Sequence, residues 1–190
     1  MVHHITPGRA DKNFGKAINQ IIENLPDNDW ICLRDIDTMP LHHRIFFKQC
    51  EDIANENKAD LIGCMTNRIG VGYQLHNGKI SDNYNLKNHY QIAIDRYNQY
   101  NTEIDVLSNS FVIAGIFMLF SKKTWLKVDK FKEGGIFVNN RSIDYLFSEA
   151  VYANGLKTGI AKGIYIWHTY RDWITESRTV NVRMEHEHLK

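Results

Sequence analysis

Residues 29–41 read DWICLRDIDTMPL: a short apolar run, Trp30–Leu33, gives way to two aspartates, Asp35 and Asp37, one residue apart. The run predicts a buried strand with both carboxylates at its C-terminal exit. Two like charges that close repel one another and need a strong compensating partner. A hard divalent cation is the usual one, and carboxylates together with phosphate oxygens suit magnesium or manganese.

The flanking sequence gives this strand neighbours. Upstream, VHHIT predicts a short strand closed by Pro7 and Gly8. Phe14, Ala17, Ile18, Ile21, Ile22 and Leu25 recur at helical spacing, and Pro26, Asp27 and Asn28 end that helix. Downstream, LHHRIFFKQCEDIANENK predicts a helix and ADLIGCMT a buried strand. Residues 67–105 form a polar insertion rich in tyrosine and asparagine, with a helix around YQIAIDRYNQY; connections of this length commonly carry function. FVIAGIFMLF predicts a strand interrupted at Gly115, and KKTWLKV a short helix. SIDYLFSEAVYANG predicts an amphipathic helix with Gly155 as its C-cap, and KTGIAKGIYIWH a closing strand that ends at His168.

This alternation predicts an α/β fold, with a mainly parallel central sheet flanked by helices. Neither a linker nor a repeat divides the chain, so residues 1–190 are expected to form a single domain, with no element assigned to the charged tail from about 170. In open α/β sheets ligands bind beyond the C-terminal ends of strands, which is where Asp35 and Asp37 fall.

Bulk properties narrow the field. A net charge of +1 makes no electrostatic case for binding a nucleic-acid backbone. Neither a leader nor an apolar run long enough to span a bilayer is apparent, so cytoplasmic residence is the default expectation and a homo-oligomer stays open. Cys32, Cys50 and Cys64 lack metal-type spacing and predict reduced, buried thiols.

The segment NDWICLRDIDTMP, preceded by NFGKAIN, resembles the glycosyltransferases of GT-A fold, the family-two group above all. Gly15, Lys16, Ala17 and Asn19 look like that group's helix-opening segment, and Asp35 and Asp37 like its DxD. AGIFMLFSKKTWLKVDKFKEG resembles its acceptor-side stretch, NNRSIDYLFSEAVYANGLKTGI the segment with a Glu-Asp pair, and IYIWHTYR the late strand ending in a metal-binding histidine. The order of the four motifs is the specific part. Two departures stand out: the chain starts at about the family's third strand, and Ile143 replaces the glutamate beside Asp144.

The resemblance implies a compact, N-terminally shortened GT-A fold that moves a sugar from a nucleoside diphosphate, UDP favoured, to a saccharide or other hydroxyl acceptor, with inversion. Asp37 would bind Mn2+ or Mg2+, and His168 would complete the site. Asp35 would reach the metal through water or hold a ribose hydroxyl. Asp144 would be the general base, since an inverting transfer needs a carboxylate to take the acceptor's proton; the bland alternative is an acid stabilised at a helix N-terminus, with Ser142 as the cap. Arg9, Lys12 and Lys16, near the first helix start, are candidates for the donor's phosphates, with Asn19 added by the motif and Arg171 as a charge clamp. Gly115 and Trp125 would lie beside acceptor or sugar, with Tyr73, Tyr84 and Trp173 as further stacking candidates. Two rivals remain. DIDT also looks like the nucleophile loop of haloacid-dehalogenase-type phosphatases, although Met39 and the lack of a later acidic pair weigh against it. A degenerate nucleotide-sugar-binding protein is the other.

Overall fold

The computed structural model describes residues 1–7, 13–108 and 112–169. Seven strands form one sheet: β1 (Val2–Ile5), β2 (Trp30–Arg34), β3 (Thr38–Pro40), β4 (Leu61–Thr66), β5 (Ile104–Val106), β6 (Phe117–Ser121) and β9 (Thr158–His168); β7 (Phe137–Val138) and β8 (Arg141–Ser142) make a separate hairpin. The helices are α1 (Phe14–Glu23), α2 (His43–Glu56), α3 (Leu86–Tyr100), α4 (Lys122–Lys127) and α5 (Ile143–Ala153).

β2 alternates between two apolar layers. Ile31 and Leu33 join Ile18 and Ile22 of α1 and Phe147 of α5 on one side. Trp30 and Cys32 join Phe46, Cys50 and Ile53 of α2 on the other. A strand covered on both faces reads as a continuous apolar run, which is why WICL was recognisable. The three cysteines are free and buried.

The sheet is mixed, not mainly parallel. Its order is β1-β2-β6-β4-β9-β3, with β5 also paired to β9. The pairs β1–β2 and β4–β9 are parallel; β2–β6, β6–β4, β3–β9 and β5–β9 are antiparallel. Strands β1, β2, β4 and β9 therefore run the same way, with β6 reversed between β2 and β4. Alternation predicts parallel neighbours only when each connection returns the chain to its starting edge. Among the described residues no helix separates β5 from β6. The chain leaves β5 at the far end, where the Leu107 N–H donates to Thr158 O, and reaches the opposite end at Gly115, so β6 descends. Among the described residues of FVIAGIFMLF only Phe117–Phe120 is paired, in a strand that runs on to Ser121, and Gly115 lies before that strand rather than inside it.

A strap over residues 129–142 is fastened to α1. Asn19, 7% exposed, accepts hydrogen bonds at Oδ1 from Trp125 Nε1 (3.0 Å) and Phe131 N (3.0 Å), and its Nδ2 donates to Phe131 O at 2.9 Å. Gly15 runs so close to the strap that a Cβ there would stand 2.0 Å from Lys132 O, which leaves room only for glycine. Asn13 caps α1 by accepting from Lys16 N (3.1 Å) and holds Gly134 N at 2.7 Å. From here the β7–β8 hairpin turns at Asn139 and Asn140, both at positive φ (52° and 64°), as a tight two-residue hairpin loop requires.

Replacing Asn19 by alanine strands three buried polar partners at once. The Asn19→Ala variant is expected to lose about 2–4 kcal/mol of unfolding free energy, measured by urea denaturation. A loss below about 0.5 kcal/mol, the range of ordinary surface changes, would deny Asn19 this role.

Candidate functional site

A cleft of about 420 Å3 opens at one end of the sheet. Every strand that runs toward that end contributes to it: Pro7 follows β1, Leu33–Asp37 leave β2, Ile69 follows β4 and His168 ends β9. Reversed β6 adds Gly115 and Ile116 from its approach, and Ser142–Asp144 open α5 beside them. Asp35, Asp37, Gly115, Asp144 and His168 thus share one cavity, although four separate segments carry them.

Asp37 and His168 are brought together by main-chain pairing. β3 follows Asp37 immediately and pairs antiparallel with the end of β9, which sets Thr38 opposite His168. Thr169 seals the corner, donating from its N–H (3.0 Å) and Oγ1 (3.1 Å) to Asp37 O, while Thr38 Oγ1 donates to Asp35 O at 2.6 Å. Asp37 Oδ2 lies 3.3 Å from His168 Nε2. The opposite ring nitrogen, Nδ1, donates to Arg68 O at 2.8 Å. Both ring nitrogens face oxygens that can only accept, Arg68 O at 2.8 Å and Asp37 Oδ2 at 3.3 Å, and the shorter contact assigns a proton to Nδ1.

Asp144 sits in the first turn of α5 and faces Gly115. Its Oδ2 accepts from Gly115 N at 2.7 Å and its Oδ1 from Tyr145 N at 2.8 Å. A Cβ on Gly115 would come within 3.2 Å of Asp144 Oδ2 and 3.3 Å of Asp144 Cβ, so any larger residue pushes on this carboxylate. Ser142 is the N-cap residue of α5 but makes no capping bond with its side chain. The hydroxyl of Ser148 joins the same helix to the approach of β6 through the Ile113 N–H at 3.0 Å.

Burial raises the Asp35 carboxyl to about 6, with Asp37 adding like-charge repulsion; His168 opposes the shift and Asp144 adds to it slightly. Three carboxylates against a single guanidinium, Arg34, line the cleft among the described residues. No group of three or more His, Cys, Asp and Glu side chains among the described residues is arranged to hold a metal ion. Asp37 and His168 are the two donors that converge, and a cation there would need its remaining oxygens from a ligand or water.

Other expected site residues lie elsewhere. Trp125 is 0% exposed in the core with its indole N–H bonded to Asn19, so it presents no face to a sugar. The Asn19 amide is consumed by that bond and the strap, which removes it from donor contact. Both belong to a packing motif whose sequence resembles a binding motif. Lys16 is exposed on α1 and is not among the residues lining the cleft. Tyr73 is tied through its hydroxyl to Val112 O. Arg9, Lys12, Arg171 and Trp173 lie outside the described residues.

Sequence reasoning missed Asn67 and Arg68, which grip His168; their signal was their place just after the buried run LIGCMT, the same kind of strand exit that drew attention to Asp35. It also missed β3, too short to show a period, whose pairing aligns Asp37 with His168. No helix among the described residues is long and apolar enough to cross a membrane. No protein-family model matches this chain, and no curated protein matches it.

The Asp35 shift has a consequence for stability. Between about pH 4 and 6 the native state keeps a proton that the unfolded chain has released, so stability falls as pH rises through that window. Asp35→Asn should flatten the pH dependence of unfolding free energy there and raise stability at neutral pH. An unchanged slope would mean that Asp35 is not the group responsible.

Proposed function

We propose that this chain is a metal-dependent glycosyltransferase with a GT-A-type fold, taking a nucleoside-diphosphate sugar as donor and a hydroxyl compound as acceptor. The observation that carries the reading is the convergence in one cleft of the two DxD aspartates, His168, Gly115 and Asp144. Charge supports it as well: an excess of carboxylates in the cleft repels a bare diphosphate, so a diphosphate ligand there requires a cation.

The donor set fits a hard or borderline divalent ion. Asp37 Oδ2 and His168 Nε2, 3.3 Å apart, supply one oxygen and one nitrogen, and magnesium or manganese sites commonly take their remaining ligands from substrate phosphates and water. When bound, the cation neutralises the diphosphate leaving group. Asp35, which lines the same cleft, would take the donor's ribose or reach the cation through water.

Asp144 has the geometry of a held base. Two main-chain N–H groups orient its carboxylate toward the cleft side of α5. As the acceptor oxygen attacks the anomeric carbon, its proton passes to Asp144 while the bond from carbon to diphosphate oxygen breaks. Inversion follows from a single displacement.

One observation favours a second reading, binding without turnover: both Asp144 oxygens already accept main-chain N–H bonds, so part of the carboxylate's acceptor capacity is committed within the fold. The two readings part in a single experiment. A thermal-shift panel of nucleotide sugars, UDP-sugars first, with Mn2+ or Mg2+ is expected to show stabilisation only when cation and nucleotide are both present. Asp37→Ala should abolish that shift; an unchanged shift would remove the metal–diphosphate site. Asp144→Asn should keep the shift while cutting transfer by roughly 100-fold or more. Binding without transfer to any acceptor by the unaltered chain would establish the second reading, and a phosphoryl group trapped on Asp35 would reassign the chain to the phosphatases.

A further inference from the structure

β4 stops at Thr66, paired with Ile166, yet its partner β9 continues two residues further to His168. Asn67 fills the gap with its side chain. Asn67 Oδ1 accepts from His168 N at 2.7 Å, and Asn67 Nδ2 donates to His168 O at 3.1 Å. The carboxamide thus gives His168 the acceptor and the donor that a longer parallel β4 would have supplied from two residues, and its Oδ1 also accepts from Thr66 Oγ1 at 3.3 Å. Asn67 is 4% exposed and His168 5%, so each bond, if lost, leaves a buried polar group unpaired. The turn that Asn67 starts also brings Arg68 O to the ring nitrogen Nδ1.

From this geometry we infer that Asn67 is a positioning residue for His168, fixing both its main chain and, through the Arg68 carbonyl beside it, the ring tautomer that aims Nε2 at Asp37. The Nδ1 proton follows from the shorter of the two ring contacts, that to Arg68 O. Its value to cation binding rests on the metal–diphosphate reading above. Partners of this kind behind a ligating imidazole commonly contribute 10–100-fold to metal affinity. An asparagine suits the position because it must both donate and accept. Aspartate keeps the acceptor for His168 N–H but sets a second acceptor against His168 O, and alanine has neither.

The test has two readouts, one independent of any ligand. Nitrogen-15 NMR of the histidine rings, followed across a range of pH, reports which ring nitrogen of His168 carries the proton, with His168→Gln used to assign the signal. The unaltered chain should show a single Nδ1–H tautomer, and Asn67→Ala a mixture of tautomers. Mn2+ affinity in the presence of UDP, followed by electron paramagnetic resonance, should weaken about 10–100-fold in Asn67→Ala. If that variant does not fold, Asn67→Asp is read by the ring measurement alone and should also lose the single tautomer. A folded variant with the unaltered tautomer overturns the inference, as does a mixed ring in the unaltered chain. If the unaltered chain binds neither Mn2+ nor UDP, the metal–diphosphate reading falls, and the ring measurement still decides the role of Asn67.

Discussion

A strand covered on both faces can carry charge only where it leaves the sheet, because an unpaired carboxylate inside an apolar layer costs more than packing returns. β2 obeys this constraint, running apolar from Trp30 to Leu33 and releasing Asp35 and Asp37 at its exit. Much of the architecture follows. The exit opens on the cleft, where burial still raises the Asp35 carboxyl, and the neighbouring strands that run the same way deliver their own ends to its rim. His168 ends β9 at the same cleft, buried but with its main chain and one ring nitrogen held by hydrogen bonds.

The reversed strand β6 gives the cleft its second wall. A parallel strand in that position would have presented its end to the cleft, and its beginning to the far side. Because β6 runs the other way, its approach passes the rim, and the N–H of Gly115 meets Asp144 there. The same approach is tied down by the side chains of Ser148 and Gln74, so the backbone beside Asp144 is held from two directions. Glycine at 115 serves close approach to a carboxylate.

Several features that resembled binding motifs in sequence proved to be fastenings. Gly15 and Asn19 clamp the strap to α1, and Trp125 completes the clamp through its indole N–H. A buried asparagine with three internal partners and an asparagine that meets a ligand look the same in a single sequence, since both need the same amide. The long polar insertion likewise supplies structure: α3 lies against β9, with Arg96 Nε donating to Lys162 O at 2.7 Å and His89 Nδ1 accepting from the Tyr165 hydroxyl at 2.7 Å. Its first residues, Asn67 and Arg68, bear on the cleft through His168.

Periodicity and the run of apolar residues determined the local elements: α1, α2, α5, the buried strands β2 and β4, and the closing strand to His168 were all legible, because burial on one or two faces imposes a period that any sequence must respect. Chemistry at strand exits was legible too, since charge beside a covered strand has few places to go. Only the tertiary structure decided strand direction, the three-residue strand β3 and the pairing of Asp37 with His168. Those depend on contacts between residues far apart in the chain, whose main-chain hydrogen bonds are the same for every side chain and leave no mark in sequence. The pairing of Asn67 with His168 belongs to the same class, made by an amide that closes a ladder where its strand has already ended.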